Sequence, residues 1–570
     1  MPERDPQNLN FYWSTQFVRA LYEQGVRHAV ISPGSRSTPL TLAFAAHPGF
    51  EKHIIIDERS AAFTALGIGK GSGIPACLVC TSGTAVANYY PAVIEATQSG
   101  VPVIITSADR PPHQRNIGAS QTIDQLKIFG DYPVFFHETG EAKESNKSVL
   151  RLERVAQQAT QIAIERGGVA HINFPFSKPF EPTKEFLAKI EDENEKHAKQ
   201  TFHQFKTTIA STEISEQFWS ELVSSEKSVL VVGPGASSEH LDTVSNLAKT
   251  LNAPVLAEPG SNMPSSKYTI SGFDGFLRCD EVKERFKPDL ILRFGEEPVS
   301  KGLSTYISEN TECTQIRFLH GSLLDDESLS ATKSINLSGV LHIPEIAGSV
   351  SKSWLKDWRK LQKDFISFRD DQLHPSSPLT DGYIFHTLSP LIPKKSFTML
   401  SNSFPVRDLS LFGNFDGKEI YVNRGAAGID GITSTAIGLS KSLKKAGVLF
   451  IGDIAFLHDS NALLNAFDLP ESLLIVILNN GGGTIFRMLP INKFGKKYQE
   501  YFETPQSTSI AALCRAHKIG HDLISRPEQL VTLFEKKLEK SGVHILECIT
   551  DADDSMAQRQ VLWNYEPKHT

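Results

Sequence analysis

The sequence predicts an α/β fold built from three parallel-sheet units, and three features of its 570 residues carry that expectation. Short runs rich in Val and Ile end in Gly, Asp or Asn. Each run is followed by a stretch of helical period, and the rhythm is broken twice by strongly charged segments. Alternation of this kind suits parallel strands, which are joined by crossovers long enough to hold a helix. A chain of this length also exceeds what a single hydrophobic core organises, so several units are expected.

The first unit, expected over residues 1–185, opens with HAVISPG (28–34) leading into STPLTLAFAAH. HIIID (53–57) then leads into ERSAAFTALGIGKG, ACLVCTSG (76–83) into TAVANYYPAVIEATQ, and VPVIITSAD follows at 101–109. The unit closes near GGVAHINFPFSKPF (167–180). The charged stretch EFLAKIEDENEKHAKQ predicts a linker or connecting helix, placed at 186–210. A second unit, 211–350, has strand candidates in SVLVVGPG, APVLAEPG and LILRFGEEP. The segment around SKSWLKDWRKLQKDF is expected to link it, over 351–378, to a third unit at 379–570. There the strand candidates are FTMLSNS, EIYVNR, VLFIGD, LLIVILNN and GVHILECI. The units share a rhythm but no residue repeat.

Composition narrows the function. With 40% hydrophobic and 22% charged residues and a mean hydropathy of -0.20, the chain reads as a soluble globular protein. A net charge of -7 provides no general basic field, which argues against nucleic acid or an anionic membrane as principal partner. No apolar run reaches the ~20 residues a membrane span needs, and the N-terminus MPERDPQNLNFYWS lacks a signal-peptide core. The expected location is the cytoplasm. Six cysteines over this length make no disulfide framework, and Cys77 and Cys80, in PACLVCTSGT, read as buried small hydrophobes.

The segment from VLFIGD to LLIVILNNGGG carries the most chemistry. Asp453 ends one apolar strand and Asn480, 27 residues on, ends the next. A carboxylate, a side-chain amide and a backbone carbonyl at neighbouring strand ends are the oxygen ligands that a hard cation prefers. The helix candidate between them, SNALLNAF, offers backbone N–H groups to an anion. A second candidate is Glu58 in IIIDERSAAFTALG, where an apolar strand runs directly into a helix. In isolation it also reads as an ordinary carboxylate placed by the helix dipole.

The Gly-Asp…Asn-Asn spacing resembles the signature of thiamine-diphosphate enzymes. Longer matches resemble one family among them, the menaquinone-pathway carboligases that make 2-succinyl-5-enolpyruvyl-6-hydroxy-3-cyclohexene-1-carboxylate (SEPHCHC). The matching segments are SPGSRSTPL (32–40), DERSAAFTALG (57–67), TSGTAVANYYPAVIEA (81–96), SADRPP (107–112), VNRGAAGIDGITSTAIGL (422–439) and NNGGGTIFRMLP (479–490). The central unit matches chiefly through FGEEPVSKGL.

The resemblance implies an α/β fold of pyrimidine-binding, central and diphosphate-binding domains, with thiamine diphosphate and Mg2+, or Mn2+, as cofactors. It implies that Asp453, Asn480 and the Gly482 carbonyl bind the metal, and that Ile429 supports the bent cofactor between its rings. It implies that Glu58 contacts N1′ of the aminopyrimidine and so assists removal of the C2 proton. The implied substrates are 2-oxoglutarate and isochorismate. Their carboxylates call for cations, and the Arg fork binds a carboxylate in bidentate fashion. The family positions are Arg36, Gln121, Lys301, Ser403, Arg407 and Arg424, with Ser35 and Arg110 beside them. Ile485 and Phe486 match an apolar wall near the substrate; for these two and for Ile429, plain core packing is equally open. The resemblance further implies a homodimer or dimer of dimers, with active sites at the subunit interface.

Two positions depart from the family pattern: Ile454 replaces a signature glycine, and Gly302 stands where some relatives carry a second basic residue. Another thiamine-diphosphate carboligase or decarboxylase, such as an acetohydroxyacid synthase, remains an alternative reading, as does a non-catalytic binder of the cofactor. Two glycine-rich segments are not expected to hold phosphate. GIGKGSG (67–73) ends a helix rather than opening one, and GPGAS (233–237) lies in the central unit, where no nucleotide is expected.

Overall fold

The structure is a computed structural model that describes residues 5–202, 215–319, 326–337, 341, 353–375, 379–467, 469 and 471–567. Among the described residues, eighteen strands form three six-stranded sheets, and every strand pair is parallel. The first sheet contains β1 (His28–Ile31), β2 (Glu51–Ile54), β3 (Ala76–Cys80), β4 (Val103–Asp109), β5 (Phe135–Glu138) and β6 (Val169–Pro175), in the order β2-β1-β3-β4-β6-β5. The second contains β7 (Ser228–Val232), β8 (Val255–Ala257), β9 (Thr269–Ile270), β10 (Leu290–Phe294), β11 (Thr314–Leu319) and β12 (Lys333–Asn336), ordered β12-β11-β10-β7-β8-β9. The third contains β13 (Phe397–Leu400), β14 (Glu419–Val422), β15 (Gly447–Gly452), β16 (Ser472–Asn479), β17 (Gly520–Ile524) and β18 (Gly542–Ile549), ordered β14-β13-β15-β16-β18-β17. The α/β class with three parallel sheets is therefore the one expected.

The strands legible in the sequence are mostly central ones. β3 and β16 are buried on both faces, so they read as nearly continuous apolar runs, and β4 is equally buried though its carboxyl end carries Thr106, Ser107 and Asp109. β5, β9, β12 and β17 were not expected; all are edge strands with mixed polarity. β11 is interior but carries Gln315 and Arg317, polar residues that are nonetheless buried. The Gln315 amide is satisfied by the carbonyls of Ile307 and Asn310. β2 begins two residues before HIIID and ends at Ile54, because Asp57 already caps the following helix.

Two compact units are formed by the chain: Met1–Thr207 with Asn423–Lys444 and His458–Glu471, and Thr208–Val422 with Lys445–Leu457 and Ser472–Thr570. In the first, the helices Glu58–Ser72 and Ile432–Leu443 cross at two glycines. A Cβ on Gly67 would lie 2.1 Å from the Thr435 carbonyl oxygen, and one on Gly438 2.1 Å from that of Thr64. Only glycine lets these backbones approach so closely. The helix Glu58–Ser72 ends at Gly73, with φ 69°, so GIGKGSG closes a helix as expected. In the second unit, the helix Trp354–Gln372 buries Trp354, Trp358, Leu361 and Phe365 in one core with residues of β7, β10, β15 and β16.

Both expected linkers contain core-forming helices. The helix Lys184–Ala198 inserts Phe186 and Ile190 into the core beside Phe11 and Phe17, while residues 203–210 lie outside the described residues. Within 351–378, residues 351–352 and 376–378 lie outside them as well, as do 211–214, 320–325, 338–340 and 342–350 of the expected central unit. Cys77 and Cys80 are free and fully buried. Three residues apart on a strand, they point to opposite faces and enter different cores, so they cannot act as a pair. Among the described residues no helix is long and apolar enough to cross a membrane.

Candidate active site

The second unit brings the expected oxygen ligands together. β15 and β16 are adjacent with Gly452 opposite Leu478, so Asp453 and Asn480 emerge from neighbouring carboxyl ends. Asp453 opens the short helix Asp453–His458, where the backbone N–H groups of Ile454 and Gly482 favour the charged form of its carboxylate. That position therefore gives Asp453 an N–H, which Ile454 supplies as well as glycine does. Gly482 has φ 144°, and a Cβ there would stand 2.4 Å from the Glu503 carbonyl oxygen, so this turn requires glycine. The two asparagines divide their work. Asn479 donates to Glu547, whereas Asn480 has a buried Oδ1 that accepts no hydrogen bond.

These features fit a hard divalent cation. Burial, with the nearby Asp381 carboxylate, pushes the Asp453 carboxyl up to about 6, the state of a desolvated anion lacking a counter-charge. The orphaned Asn480 oxygen could serve as a second hard ligand. The segment between the two strands is not the single helix expected: it comprises Asp453–His458 and a 3-10 helix, Ser460–Asn465.

Of the other expected residues in this unit, Ser403 and Arg407 are joined. Ser403 follows β13 with φ 73°, a conformation strained for a residue with a side chain, and its carbonyl accepts from Arg407 Nη1 at 2.6 Å. Ile485 and Phe486 sit half-buried in the 3-10 helix Thr484–Met488, with Phe486 packed on Phe502. Lys301 is exposed at the first turn of the helix Lys301–Glu309. Beside it Gly302 donates its N–H to Asp274 at 3.0 Å, and a Cβ there would lie 2.8 Å from the Asp274 carbonyl oxygen. That close approach leaves little space for a side chain, so the absence of a basic residue has a steric reason.

The first unit holds the remaining residues. Glu58 is the first residue of its helix and half-buried. The residues flanking it are tied down: Asp57 accepts from Arg59 N and from Asn461 Nδ2 (2.8 Å), and Arg59 donates to the His458 carbonyl. Ser35 is exposed after β1, while Arg36 is 6% exposed, donates to the Phe176 carbonyl and lies over the Phe180 ring. Gln121 has φ 54° and gives its amide to the Ser82 carbonyl (2.9 Å). Arg110 grips the same loop through the Ser120 carbonyl and Thr122 Oγ1. Arg110 and Gln121 are thus neighbours in one loop folded onto the end of β3.

Arg424 and Ile429 share the loop 423–431, whose anchor the sequence reading missed. Glu95, 3% exposed, accepts from the N–H groups of Gly425 (3.0 Å) and Ala426 (2.7 Å). The loop closes at Gly431, where a Cβ would meet the Phe63 ring at 1.9 Å. Glu95 lies in the matched segment TSGTAVANYYPAVIEA, but on a helix of ordinary pattern, and only its burial reveals it. Apart from these regions, His28, Glu51 and His53 cluster on β1 and β2. The two rings share a 3.1 Å hydrogen bond and Glu51 takes the Lys444 ammonium at 2.6 Å. With their donors and acceptors so used and two lysines near, these groups suit an ion pair better than a cation site.

Comparison with known proteins places the chain in a family. Residues 13–128 match the family model for the thiamine pyrophosphate enzyme N-terminal TPP binding domain, and residues 414–548 that for its C-terminal TPP binding domain. The chain is similar to proteins named 2-succinyl-5-enolpyruvyl-6-hydroxy-3-cyclohexene-1-carboxylate synthase from three organisms. It is 35% identical to that of Oceanobacillus iheyensis, with 96% of each chain covered, and 37% identical to that of Gloeothece citriformis, again with 96% of each covered. It is 34% identical to that of Haloarcula marismortui, over 97% of this chain and 98% of the relative. Likeness of this extent takes in the central sheet as well as both cofactor-binding ends, and the chain belongs to the SEPHCHC synthase family of thiamine pyrophosphate enzymes.

Proposed function

We infer that the protein is a thiamine-diphosphate-dependent SEPHCHC synthase of menaquinone biosynthesis, acting in the cytoplasm. It decarboxylates 2-oxoglutarate and adds the resulting succinic-semialdehyde carbanion unit, in a conjugate sense, to isochorismate. The observation that carries this reading is the near-complete coverage of relatives bearing that name.

Bound thiamine diphosphate supplies the carbon nucleophile that lets a 2-oxo acid lose carbon dioxide and react as an acyl-anion equivalent. The chain's own residues do the rest. Asp453, Asn480 Oδ1 and the Gly482 carbonyl would hold Mg2+, or Mn2+, for the diphosphate. Ile429 supports the cofactor, and Glu58 holds a proton at N1′ of the aminopyrimidine. Arg407 and Arg424, with Ser403, bind the carboxylates of 2-oxoglutarate. Arg36, Gln121 and Lys301 bind isochorismate, with Ser35 and Arg110 shaping that end, while Ile485 and Phe486 exclude water. The part of this scheme that the protein provides is charge complementarity and orientation.

The domains are assigned as pyrimidine-binding (1–185), central (211–350) and diphosphate-binding (379–570). The functional form is a homodimer or a dimer of dimers, with Glu58 of one subunit serving the metal site of its partner. The test is a mass-spectrometric assay with 2-oxoglutarate, isochorismate, thiamine diphosphate and Mg2+. SEPHCHC and one carbon dioxide per turnover are expected only when all four are present. Carbon dioxide release with no adduct to isochorismate contradicts the assignment.

A further inference from the structure

The C-terminal helix Ala552–Trp563 carries a guanidinium that belongs to no sequence motif. Arg559 is 1% exposed, and its Nη2 donates to Asp381 Oδ2 at 2.6 Å and to Asp408 Oδ2. Its Nε donates to Asp408 Oδ1 at 2.8 Å, and its plane lies 3.6 Å from the Phe404 ring centre. Burial alone would weaken this cation's hold on its proton, but the two carboxylates outweigh that and strengthen it. A buried ion triple of this kind is weak evidence for stability, because well-packed apolar groups of the same volume often serve as well. Its ends show what it holds.

At one end, Asp381 accepts three donors: Thr550 Oγ1 at 2.7 Å, Arg559 Nη2, and Asn480 Nδ2 in a long 3.4 Å hydrogen bond. The last contact matters for direction. Asp381 Oδ2 already accepts from the Arg559 guanidinium and accepts from Asn480 as well, so the amide turns its NH2 toward Asp381. The reverse orientation would press the amide oxygen against a carboxylate. Asn480 Oδ1 is thereby left buried with no hydrogen bond. At the other end, Asp408 sits on the helix Phe404–Phe412, one residue after Arg407 and five after Ser403.

We propose that Asp381, braced by Arg559 and Thr550, is a positioning residue that fixes the Asn480 amide with its oxygen presented to the divalent cation. Arg559 ties the same brace to the helix that carries Arg407. The proposal rests on the reading of Asn480 as a metal ligand. Asp381 touches neither cation nor substrate; it removes the alternative amide orientation that would have to be undone each time the metal binds. Outer partners of metal ligands generally act this way, at about 10- to 100-fold in metal affinity.

The test is the Mg2+ concentration that half-saturates thiamine-diphosphate binding, followed by intrinsic tryptophan fluorescence in full-length protein. Asp381→Asn keeps the shape but offers a donor as well as an acceptor, so the Asn480 amide can turn. The half-saturating Mg2+ concentration is expected to rise roughly 10- to 100-fold. Cofactor binding and turnover should both recover at high Mg2+, a rescue that a general loss of fold does not give. Thr550→Val removes one donor to Asp381 while retaining the charges, and should shift the Mg2+ requirement several-fold in the same direction; it carries the test if Asp381→Asn does not fold. An unchanged Mg2+ requirement in the folded variants overturns the proposal. Wild-type cofactor binding that needs no divalent cation overturns instead the reading of Asn480 on which it rests, and the proposal with it.

Discussion

The first and third sheets have the same strand order, yet they carry different chemistry at matching positions. Counted within its own sheet, each runs 2-1-3-4-6-5. After the third strand, the first sheet presents Thr81, Ser82 and Gly83, whereas the third presents Asp453. Beyond the fourth strand stand Arg110 in one and Asn480 in the other. Asp109, at the end of β4, is the carboxylate at the corresponding strand end of the first sheet, and Arg115 pairs with it at 2.9 Å. Burial raises both carboxyls, but among the described residues Asp109 has this cationic partner whereas Asp453 forms no ion pair. A parallel sheet thus supplies a row of carboxyl ends, and the side chains placed there decide whether that row holds a cation or an anionic substrate.

The largest effect that can break this comparison is loss of the one carboxylate proposed to bind metal. Asp453→Ala is expected to abolish Mg2+-dependent retention of thiamine diphosphate, read by equilibrium dialysis. Undiminished retention would assign the metal elsewhere. Glu58→Gln, in the helix that follows β2 of the first sheet, should behave differently. Cofactor binding persists, while C2 proton exchange, followed by NMR in deuterium oxide, slows by about 100-fold or more, as for loss of a general acid or base. Wild-type exchange would leave Glu58 as an ordinary helix-start carboxylate.

Arg407→Ala tests a smaller term. Removing a charge-assisted bond worth roughly 1.5–3 kcal/mol predicts about 10- to 150-fold lower kcat/KM for 2-oxoglutarate, with cofactor affinity nearly unchanged. An equal loss of cofactor affinity would move Arg407 from substrate binding to the metal region.

The smallest effect concerns how matching helices are capped. Asp57 caps its own helix locally, whereas the helix Ile432–Leu443 is held from outside by Asp459, which accepts Ser434 N at 2.7 Å and Ser434 Oγ at 3.0 Å. Burial pushes the Asp459 carboxyl up to about 7. Because its folded value lies above the ordinary one, its stabilising contribution is complete below about pH 4 and is lost as pH rises through 7. Asp459→Asn keeps both hydrogen bonds without the charge. It should therefore lose less stability than wild type between pH 5 and pH 8, a difference on the order of 1–3 kcal/mol in urea melts. Identical pH dependence in the two proteins would show that Asp459 is ionised throughout.

What was legible in the sequence follows physical lines. Strands buried on both faces announce themselves, so VLFIGD and LLIVILNN located Asp453 and Asn480 correctly at adjacent strand ends. Edge strands such as GHDLI and KSIN do not, because half their side chains face water. The core role of Trp354–Gln372 was not legible, because a charge-rich helix with a narrow apolar stripe resembles a solvated one until its tryptophans are seen in the core. Ligand candidates were readable from motif spacing. Their supports were not: Glu95, Asp381 and Arg559 act through partners 330, 99 and 151 residues distant, and no local pattern encodes such contacts.

The central claim is that the site is built for a dicarboxylic 2-oxo acid, and its most direct test is a competition in one vessel. Wild-type enzyme with thiamine diphosphate, Mg2+ and isochorismate is given equal concentrations of 2-oxoglutarate and pyruvate, and the two adducts are separated by mass. The succinyl adduct is expected to dominate, because the proposed carboxylate-binding arginines would answer a second carboxylate that pyruvate lacks. Preferential formation of the pyruvate-derived adduct would contradict the assignment, even with the cofactor site confirmed residue by residue.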